Sequence, residues 1–397
     1  MFEIQGKFAT ARCYAQDIDY ATVNQIRTMC DQPFAEGQSI AIMPDAHAGR
    51  GCTIGTTMTI SDKIVPNLVG TDIGCGMCTV DLGTGHIDLP LVDEACHTVP
   101  SGNRVWDGRK AKFDLARLRC NRDLKDTRRI QRGIGTLGGG NHFIEIDVSE
   151  NGHAYLVVHS GSRHLGKQVA EYYQNMASEL CEGKEEFFDR RDALRAEYKR
   201  SRKHETKLAI RNLEWVPKKS PIPQDLRWLH GRFMDDYIHD VALCQAYARL
   251  NRETIASEIC RMANLTPGRA FHTTHNYIDT DEMILRKGAI AAHEGELVLI
   301  PLNMRDGSVV ARGRGNADWN FSAPHGAGRT MSRSDAKERL SLDEFKAQME
   351  GIYTTSVSVG TLDESPMAYK SAEDILAPIA ESVDIIEVLR PVYNFKA

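Results

Sequence analysis

Apolar and polar positions along this chain follow two different patterns, and each pattern predicts a different kind of element. Over residues 226–264 apolar side chains recur near helical spacing, which predicts one long amphipathic helix that serves mainly as scaffold. Residues 286–316 are short apolar runs separated by glycine-containing turns, which predict a series of strands. A shorter helix is predicted over residues 17–30, and a β-rich run closes the chain.

Two stretches are dominated by charge rather than by apolar periodicity. Residues 170–221 form a charged helical block, for which a solvated hairpin is the first interpretation and an insertion facing nucleic acid is the alternative. Residues 104–132 are locally basic and lead directly into a glycine-rich turn. Their arginines, Arg128 and Arg129 first, are therefore expected to line the approach to a site.

Composition places the chain among ordinary globular proteins. It has 397 residues, 42% hydrophobic and 26% charged, and its net charge of −5 carries no overall signal for nucleic acid. No apolar run is long enough to span a membrane and the first residues lack the apolar core of a signal peptide, so a cytoplasmic protein is expected. Of ten scattered cysteines most are expected to be buried thiols, since the chain has a single C-x-x-C, at Cys75 and Cys78.

Glycine-flanked motifs carry the candidate metal chemistry. TDIGCGM puts Asp72 and Cys75 three residues apart, with glycines that let both side chains point at one centre. A carboxylate with a thiolate suits Mn, Fe, Co or Zn better than Mg or Ca, although a buried structural thiol is the alternative. GGGNHFIE then delivers Asn141 and His142 onto an apolar strand, and the next strand ends in HSGSR with His159.

The segment SAPHGAGR carries the candidate nucleophile. His325 lies between small residues and a glycine turn whose backbone N–H groups can face an anion, and neutral imidazole attacks phosphorus well. Arg329 and Arg333 follow at i+4 and i+8, so both would lie near one face of a helix that began after the turn. A turn with an incidental histidine is the alternative. Upstream, a loop with Asp45 and His47 is a weak signal by itself.

Five motifs in all combine glycines with a potential ligand or nucleophile. They contain Asp72 with Cys75, His142, His159, His275 and His325. Such a nitrogen, oxygen and sulfur set can hold two adjacent transition-metal ions that share one thiolate, which is a common way to stabilise charge on a transferred phosphoryl group. Sequence spacing alone does not show that these distant motifs meet.

The motifs TDIGCGM, GGGNHFIE, HSGSR, HNY, RKGA and SAPHGAGRTMSR occur in this order over nearly the full length. In this respect the chain resembles the RtcB family of RNA ligases, which join RNA 3′-phosphate or 2′,3′-cyclic phosphate ends to 5′-hydroxyl ends with GTP and Mn²⁺. The resemblance implies an α/β fold of the α+β type, with mixed β-sheets around a central metal cleft flanked by helices. It also implies a single catalytic domain over residues 1–397, with the charged helical block at about 170–221 as an insertion.

The resemblance assigns a role to each matching residue. Cys75 would be shared by two Mn²⁺ ions, with Asp72 and His142 on one ion and His159 and His275 on the other. His325 matches the histidine that becomes guanylylated. The residues that fall where the family binds the guanine nucleotide are Asn141, Glu145, Asn276, Asn303, Ser308, Gly326, Ala327, Gly328 and Lys396. Phosphate groups of RNA or nucleotide would be engaged by Arg163, Arg329 and Arg333.

Two departures from the family pattern indicate a divergent paralogue. Leu302, Asn303 and Met304 stand where the family most often has Gly-Ser-Met, and His164 stands where glycine is more usual. The function expected is RNA ligation in RNA repair or tRNA splicing. The alternatives are a metal-dependent RNA phosphoesterase or cyclic phosphodiesterase, and a non-catalytic protein that binds or protects RNA ends. His325 together with Lys396 favours the ligase, because a hydrolase has no obvious use for a histidine-guanylate. The RNA that is joined, the oligomeric state and any activating protein partner stay open.

Overall fold

The computed structural model describes residues 1–49, 51–197 and 203–396. Its strands are β1 (Phe2–Gln5), β2 (Thr10–Cys13), β3 (Ile40–His47), β4 (Ile54–Thr59), β5 (Lys63–Ile64), β6 (Gly76–Gly83), β7 (Phe143–Val148), β8 (Ala154–Ser160), β9 (Leu229–His230), β10 (Ala270–Thr274), β11 (Asn276–Asp279), β12 (Ile284–Lys287), β13 (Ala289–Ala291), β14 (Leu297–Asn303), β15 (Gly307–Gly313), β16 (Ser322–Pro324) and β17 (Val383–Lys396). Its α-helices are α1 (Tyr20–Cys30), α2 (Leu89–Thr98), α3 (Thr127–Arg132), α4 (Arg163–Cys181), α5 (Glu185–Glu197), α6 (Lys203–Arg211), α7 (Gly231–Met262), α8 (Arg333–Arg339), α9 (Leu342–Gln348) and α10 (Ala372–Ile379). The α/β fold expected from the sequence is confirmed.

Two large sheets organise these strands. A seven-stranded sheet has the order β10-β6-β8-β7-β17-β15-β14, and all of its neighbouring strands are antiparallel. A six-stranded sheet has the order β1-β2-β3-β4-β12-β11, and it is mixed because β2 and β3 run parallel. The last strand, β17, pairs with β7 and β15. Residues near both ends of the chain are thus tied into these sheets.

The long helix α7 joins the two main parts of the core. Near its start, Tyr237 and Val241 pack into the cluster beneath the six-stranded sheet. Near its end, Ile255 and Ile259 pack into the cluster behind the seven-stranded sheet. The buried side chains of α7 therefore pack against the six-stranded sheet near its start and against the seven-stranded sheet near its end. The helix passes the place where the two sheets meet.

The elements predicted from periodicity are present with shifted ends. The long helix runs over Gly231–Met262 and the first helix over Tyr20–Cys30, where the Asp19 side chain accepts a hydrogen bond from the Thr22 N–H at 2.7 Å and so caps the helix. The predicted strand series is β12 to β15.

The cysteines are free thiols, and all but Cys181 are buried. Within the described residues no helix is long and apolar enough to span a membrane.

The charged stretches differ in part from expectation. The helical block begins earlier than predicted, with α4 at Arg163, and residues 214–219 contain neither helix nor strand. Helices α5 and α6 contact each other and are mostly exposed. The part of the predicted block at residues 198–202 lies outside the described residues. Residues 104–126 form an irregular loop with bends, a turn and a short 3₁₀ helix (Leu115–Arg117), and the short helix α3 follows.

Candidate active site

The predicted ligands converge where the two large sheets meet. Cys75 ends the loop before β6, His142 directly precedes β7, and His159 lies near the end of β8. Because Met77 pairs with His159 and Phe143 pairs with His159 in the seven-stranded sheet, these three segments lie side by side. His275 lies between β10 and β11 and therefore links the two sheets.

The ligand atoms form two adjacent sets that share one sulfur. The Cys75 Sγ lies 3.4 Å from His142 Nε2 and 3.3 Å from His159 Nε2. Asp72 Oδ2 is 3.1 Å from His142 Nε2, and His275 Nε2 is 3.4 Å from His159 Nε2. Within the set Asp72, Cys75 and His142, and within the set Cys75, His159 and His275, all ligand atoms lie within 4.8 Å of one another. Both sets suit a metal ion.

Glycine is required at two positions for this approach. Gly74 has φ of +78°, and a Cβ there would lie 2.9 Å from the Gln245 Cα of α7. At Gly161 a Cβ would lie 2.1 Å from the Asp72 carboxylate. Any side chain at these positions would displace α7 or Asp72, which explains why the ligands lie in glycine-rich motifs.

Hydrogen bonds on the far side of the rings set the orientation of two histidines. The Nδ1 atom of His142 lies 2.8 Å from the Leu137 carbonyl oxygen, and that of His159 lies 3.1 Å from the Asn141 carbonyl oxygen. A carbonyl can only accept, so Nδ1 carries the proton in each ring and the Nε2 lone pair faces the centre. The site therefore presents two imidazoles in the tautomer that metal ligation needs.

Electrostatics at the centre also suits a cation. Burial lowers the pKa of His159 and of His275 well below the usual value, which keeps both rings neutral. Burial, followed by the Asp72 carboxylate, raises the pKa of the Cys75 thiol well above its usual value. A metal ion at this position would ionise the thiol by its own charge. The two candidate ligand sets therefore fit metal ions.

The candidate nucleophile is held by a buried carboxylate. His325 follows β16, and its Nδ1 lies 2.7 Å from Asp45 Oδ2, which also accepts the His325 backbone N–H at 3.2 Å. Asp45 is fully buried, and its Oδ1 has no hydrogen-bond partner among the described residues. Nδ1 thus donates to Asp45, which leaves the Nε2 lone pair of His325 free. The His325 ring lies 5.0 Å from the ring of His275, between centroids.

Two cavities meet at the centre. The larger, about 880 Å³, is lined by His159, His275, His325 and much of the predicted nucleotide-binding set, namely Asn141, Glu145, Asn303, Gly326, Ala327, Gly328 and Lys396. The other, about 560 Å³, is lined by Asp72, Cys75 and His142, and it also reaches His275 and His325. The ligand sets therefore lie between two spaces, each of which has direct access to His325.

Two predicted nucleotide-binding residues lie outside the larger cavity. Asn276 lines the smaller cavity, where its Oδ1 accepts from the Gly288 N–H at 3.0 Å. Ser308 is fully buried in β15, and its hydroxyl oxygen has no partner among the described residues. In the divergent loop, Asn303 lines the larger cavity, while its Oδ1 accepts from the backbone N–H groups of Arg305 and Asp306, both at 3.0 Å.

One buried acid contacts three cations of the larger cavity. Glu364 is 2% exposed, and its carboxylate lies 2.6 Å from Lys396 Nζ, contacts Arg333, and lies 3.4 Å from Arg329 Nη1. Tyr369 donates its hydroxyl to the same carboxylate at 2.7 Å. Burial would raise the pKa of Glu364, but Lys396 and Arg333 lower it to about 2. The carboxylate therefore stays ionised at neutral pH.

The predicted arginines are not equivalent in the structure. Helix α8 begins only at Arg333, so Arg329 lies outside it, and the prediction that one helix face carries both is wrong. Both nonetheless line the larger cavity.

Arg163 has φ of +55° at the start of α4 and donates to the Gly102 carbonyl at 3.1 Å. Arg129 donates to the Asn103 carbonyl at 2.6 Å, and neither Arg128 nor Arg129 lines the two cavities.

Sequence reasoning missed or undervalued several residues of this site. Asp45 had only the weak signal of an acid and a histidine in one loop, yet it holds His325 across 280 positions of sequence. Glu364 and Tyr369 had no signal, because LDESPMAY lacks the glycines that marked the other motifs.

Two adjacent sets of candidate metal ligands, a histidine oriented by a buried carboxylate and a large cavity with cationic side chains are together typical of the active site of an enzyme of the α/β class. The chain belongs to the RtcB family. The family described as tRNA-splicing ligase RtcB matches residues 25–397. The chain is 30% identical to the RNA-splicing ligase RtcB of Escherichia coli strain K12, over 90% of each chain. It is 27% identical to the tRNA-splicing ligase RtcB of Aeropyrum pernix, over 88% of this chain and 86% of the relative.

Proposed function

We propose that this chain is an RNA ligase that joins RNA 3′-phosphate or 2′,3′-cyclic phosphate ends to 5′-hydroxyl ends, with GTP, two Mn²⁺ ions and a guanylate intermediate on His325. The observation that carries the proposal is the arrangement of His325: Asp45 lies 2.7 Å from its Nδ1, and its ring lies 5.0 Å from a predicted metal ligand. A hydrolytic site needs the metal ligands but not a further imidazole that a carboxylate orients separately.

In the first step His325 acts as nucleophile. Its Nε2 lone pair attacks the α-phosphorus of GTP, an N–P bond forms, and the bond to the β-phosphate oxygen breaks with release of pyrophosphate. Asp45 keeps the proton on Nδ1 and offsets the positive charge that develops on the ring. Two ions bound by Asp72, Cys75, His142, His159 and His275 would offset negative charge on the transferred phosphoryl group.

In the later steps the guanylate passes to RNA. A terminal 3′-phosphate oxygen attacks the phosphorus on His325, the N–P bond breaks, and the imidazole is restored. The 5′-hydroxyl oxygen of the second RNA end then attacks the activated 3′-phosphate, so that a phosphodiester bond forms, the anhydride bond to the guanylate breaks, GMP leaves and the hydroxyl proton passes to water. A cyclic phosphate end must first be opened by water. The larger cavity is the proposed nucleotide site and the smaller one, on the Asp72 side, gives a second route to the same centre.

Several elements of the proposal rest on the family rather than on the geometry. The donor set admits Mn, Fe, Co or Zn, so the choice of Mn²⁺ comes from the resemblance. The same holds for guanine as the base, for which Glu145 and Lys396 are the proposed contacts. We further propose a single catalytic domain over residues 1–397, a cytoplasmic location, and tRNA splicing or RNA repair as the process.

The test is covalent labelling with GTP labelled at the α-phosphate, in the presence of Mn²⁺, followed by denaturing gel analysis. The protein should retain the label, and the bond should be labile in acid and stable in base, as a phosphoramidate is. His325→Ala should abolish labelling and ligation, yet still seal RNA whose 3′-phosphate already carries guanylate.

The matched control is His86→Ala, since His86 is exposed and lies in neither cavity. Labelling that persists in His325→Ala would move the covalent role to another residue, with Lys396 tested first. Absence of label in the wild-type protein, together with hydrolysis of cyclic phosphate ends, would support the phosphodiesterase instead.

A further inference from the structure

The helix α7, expected to be scaffold, carries two consecutive buried polar residues behind the metal ligands. Asn251 is fully buried and Arg252 is 1% exposed. The residues that follow on the buried face of α7, such as Ile255 and Ile259, are apolar and pack into the core. Burying an amide and a guanidinium costs free energy unless their polar atoms find partners, so the partners show what the pair contributes.

Asn251 joins the segment that orients His142 to the segment that follows His159. Its Oδ1 accepts from the backbone N–H groups of Gly135, at 2.8 Å, and Thr136, at 3.0 Å. Its Nδ2 donates to the Thr136 carbonyl at 3.2 Å. The same Nδ2 donates to the hydroxyl of Ser160 and to the carbonyl of Gly161, in the segment that follows His159, both at 3.0 Å.

The contact with Ser160 reaches His142 through two further hydrogen bonds. Ser160 follows His159 directly and donates its hydroxyl to the Leu137 carbonyl at 2.7 Å. The same Leu137 carbonyl accepts from His142 Nδ1 at 2.8 Å. A shift of the Asn251 amide would therefore move the acceptor that sets the His142 ring.

Arg252 joins the segment of Cys75 to the segment of His159. Its Nη1 donates to the carbonyl of Gly74 at 2.7 Å and to the carbonyl of Ser160 at 2.9 Å. Gly74 immediately precedes Cys75, and Ser160 immediately follows His159. A single guanidinium nitrogen thus spans the two backbones whose side chains bring sulfur and Nε2 to 3.3 Å.

We propose that Asn251 and Arg252 are positioning residues of the metal centre, which hold the backbones next to Cys75, His142 and His159 in the register that lets two ions share the Cys75 sulfur. The inference rests on the metal centre of the proposed function. The partners support this role over general support of the fold, because the side-chain hydrogen bonds of both residues end on ligand-bearing segments or on the turn that orients His142. The other fully buried charged residue of α7, Asp240, instead accepts from the backbone N–H groups of Arg119 and Cys120 and from the Tyr173 hydroxyl, which bear no ligand.

The test uses Asn251→Asp, which keeps the acceptor but loses the donor, and Arg252→Lys, which keeps the charge but is one bond shorter, so that its nitrogen does not reach the position of Nη1 between the Gly74 and Ser160 carbonyls. The control is Arg249→Lys, on the exposed face of the same helix, where Arg249 pairs with Glu253 at 2.9 Å and is 63% exposed. Each metal-free protein is first checked by circular dichroism and thermal unfolding. Each is then titrated with Co²⁺, with the thiolate-to-cobalt charge-transfer absorption as readout, and with Mn²⁺ in equilibrium dialysis.

We expect the wild type and Arg249→Lys to bind two equivalents. Asn251→Asp and Arg252→Lys should fold but bind metal about 10- to 100-fold more weakly, as residues that orient ligands typically do. Arg252→Lys should also show a weaker charge-transfer band per cobalt, a change that a purely structural role would not cause.

Two equivalents at unchanged affinity and band intensity in both variants would overturn the inference. So would failure of both metal-free variants to fold, since the pair would then support the fold as a whole. Fewer than two equivalents in the wild type would instead refute the proposed centre, and the positioning role with it.

Discussion

Replacement of Asp45 by Asn tests the orientation of the proposed nucleophile without removing it. The carboxylate is fully buried, and one of its oxygens accepts both the Nδ1 proton and the backbone N–H of His325. Asn is nearly isosteric, so the cavity and the fold should be retained. It has, however, only one acceptor oxygen, no charge, and an NH₂ group that must face either His325 or the buried position of Asp45 Oδ1.

The two orientations of the amide bound the expected effect. If the amide oxygen faces His325, the hydrogen bond is kept but its acceptor is no longer charged, and the difference between a charged and a neutral hydrogen bond is about 1–1.5 kcal/mol. At 1.36 kcal/mol for each factor of ten, nucleotidyl transfer slows by about 5- to 13-fold. If the NH₂ group faces Nδ1, the ring proton moves to Nε2 and no lone pair is left for attack. A triad histidine held in the wrong tautomer loses about 10⁴-fold. We therefore expect a loss of about 5- to 10⁴-fold for Asp45→Asn.

The assay is the single-turnover rate of label transfer from α-labelled GTP to the protein, with metal content measured on the same sample. Metal binding should be unchanged, and so should sealing of RNA that already carries guanylate at its 3′-phosphate. Asp62→Asn is the control, because Asp62 is 70% exposed and its side-chain partners among the described residues are its neighbours Ser61 and Lys63. A labelling rate equal to that of the wild type would refute the role of Asp45. Loss of metal would show that Asp45 acts on the ligands rather than on His325.

Three further predictions concern the ligands, the buried acid and the RNA contacts. Cys75→Ala should lose far more Mn²⁺ in equilibrium dialysis than Cys78→Ala, because only the Cys75 sulfur belongs to both ligand sets; two equivalents at unchanged affinity would contradict this. Glu364→Gln should lower the free energy of unfolding by about 3 kcal/mol at neutral pH, since Lys396 and Arg333 lose their ionised partner. Because the pKa of Glu364 is lowered from 4.5 to about 2, this difference should be complete above pH 4.5 and close as the pH falls toward 2; an unchanged urea midpoint at neutral pH would argue against the ion pairs. Arg333→Gln should weaken binding of RNA ends and flatten its dependence on salt, and equal wild-type affinity at low and high salt would remove the electrostatic basis of that expectation.

Much of the candidate site could be read from local sequence. Every predicted ligand stands beside glycines or at a strand end, because a side chain aimed at a crowded centre needs a backbone that bends or approaches closely. Gly74 illustrates this, since its φ of +78° and its contact with α7 exclude a side chain. The long helix and the strand series were likewise predictable, because apolar periodicity is a local property.

The partners of polar groups were not predictable in the same way. Asp45 and His325 are 280 positions apart, and Lys396 and Glu364 are 32 apart. A hydrogen bond between such residues leaves no periodic or compositional trace in either segment. The burial of Asn251 and Arg252 was not predictable for the same reason. Two consecutive polar residues in a helix are typical of a solvent-exposed position, and only the packing of the core places these two inside.

The sequence by itself determined which short segments bend, extend or coil, and which of them carry ligands, because backbone preferences and glycine requirements act over a few residues. Only the tertiary structure decided which of these segments meet. The pairing of β6, β7 and β8 brings Cys75, His142 and His159 to one point, and the contact of the two large sheets adds His275, His325 and Asp45. The physical reason is that side-chain contacts across sheets depend on register and burial, which arise only when the whole core packs.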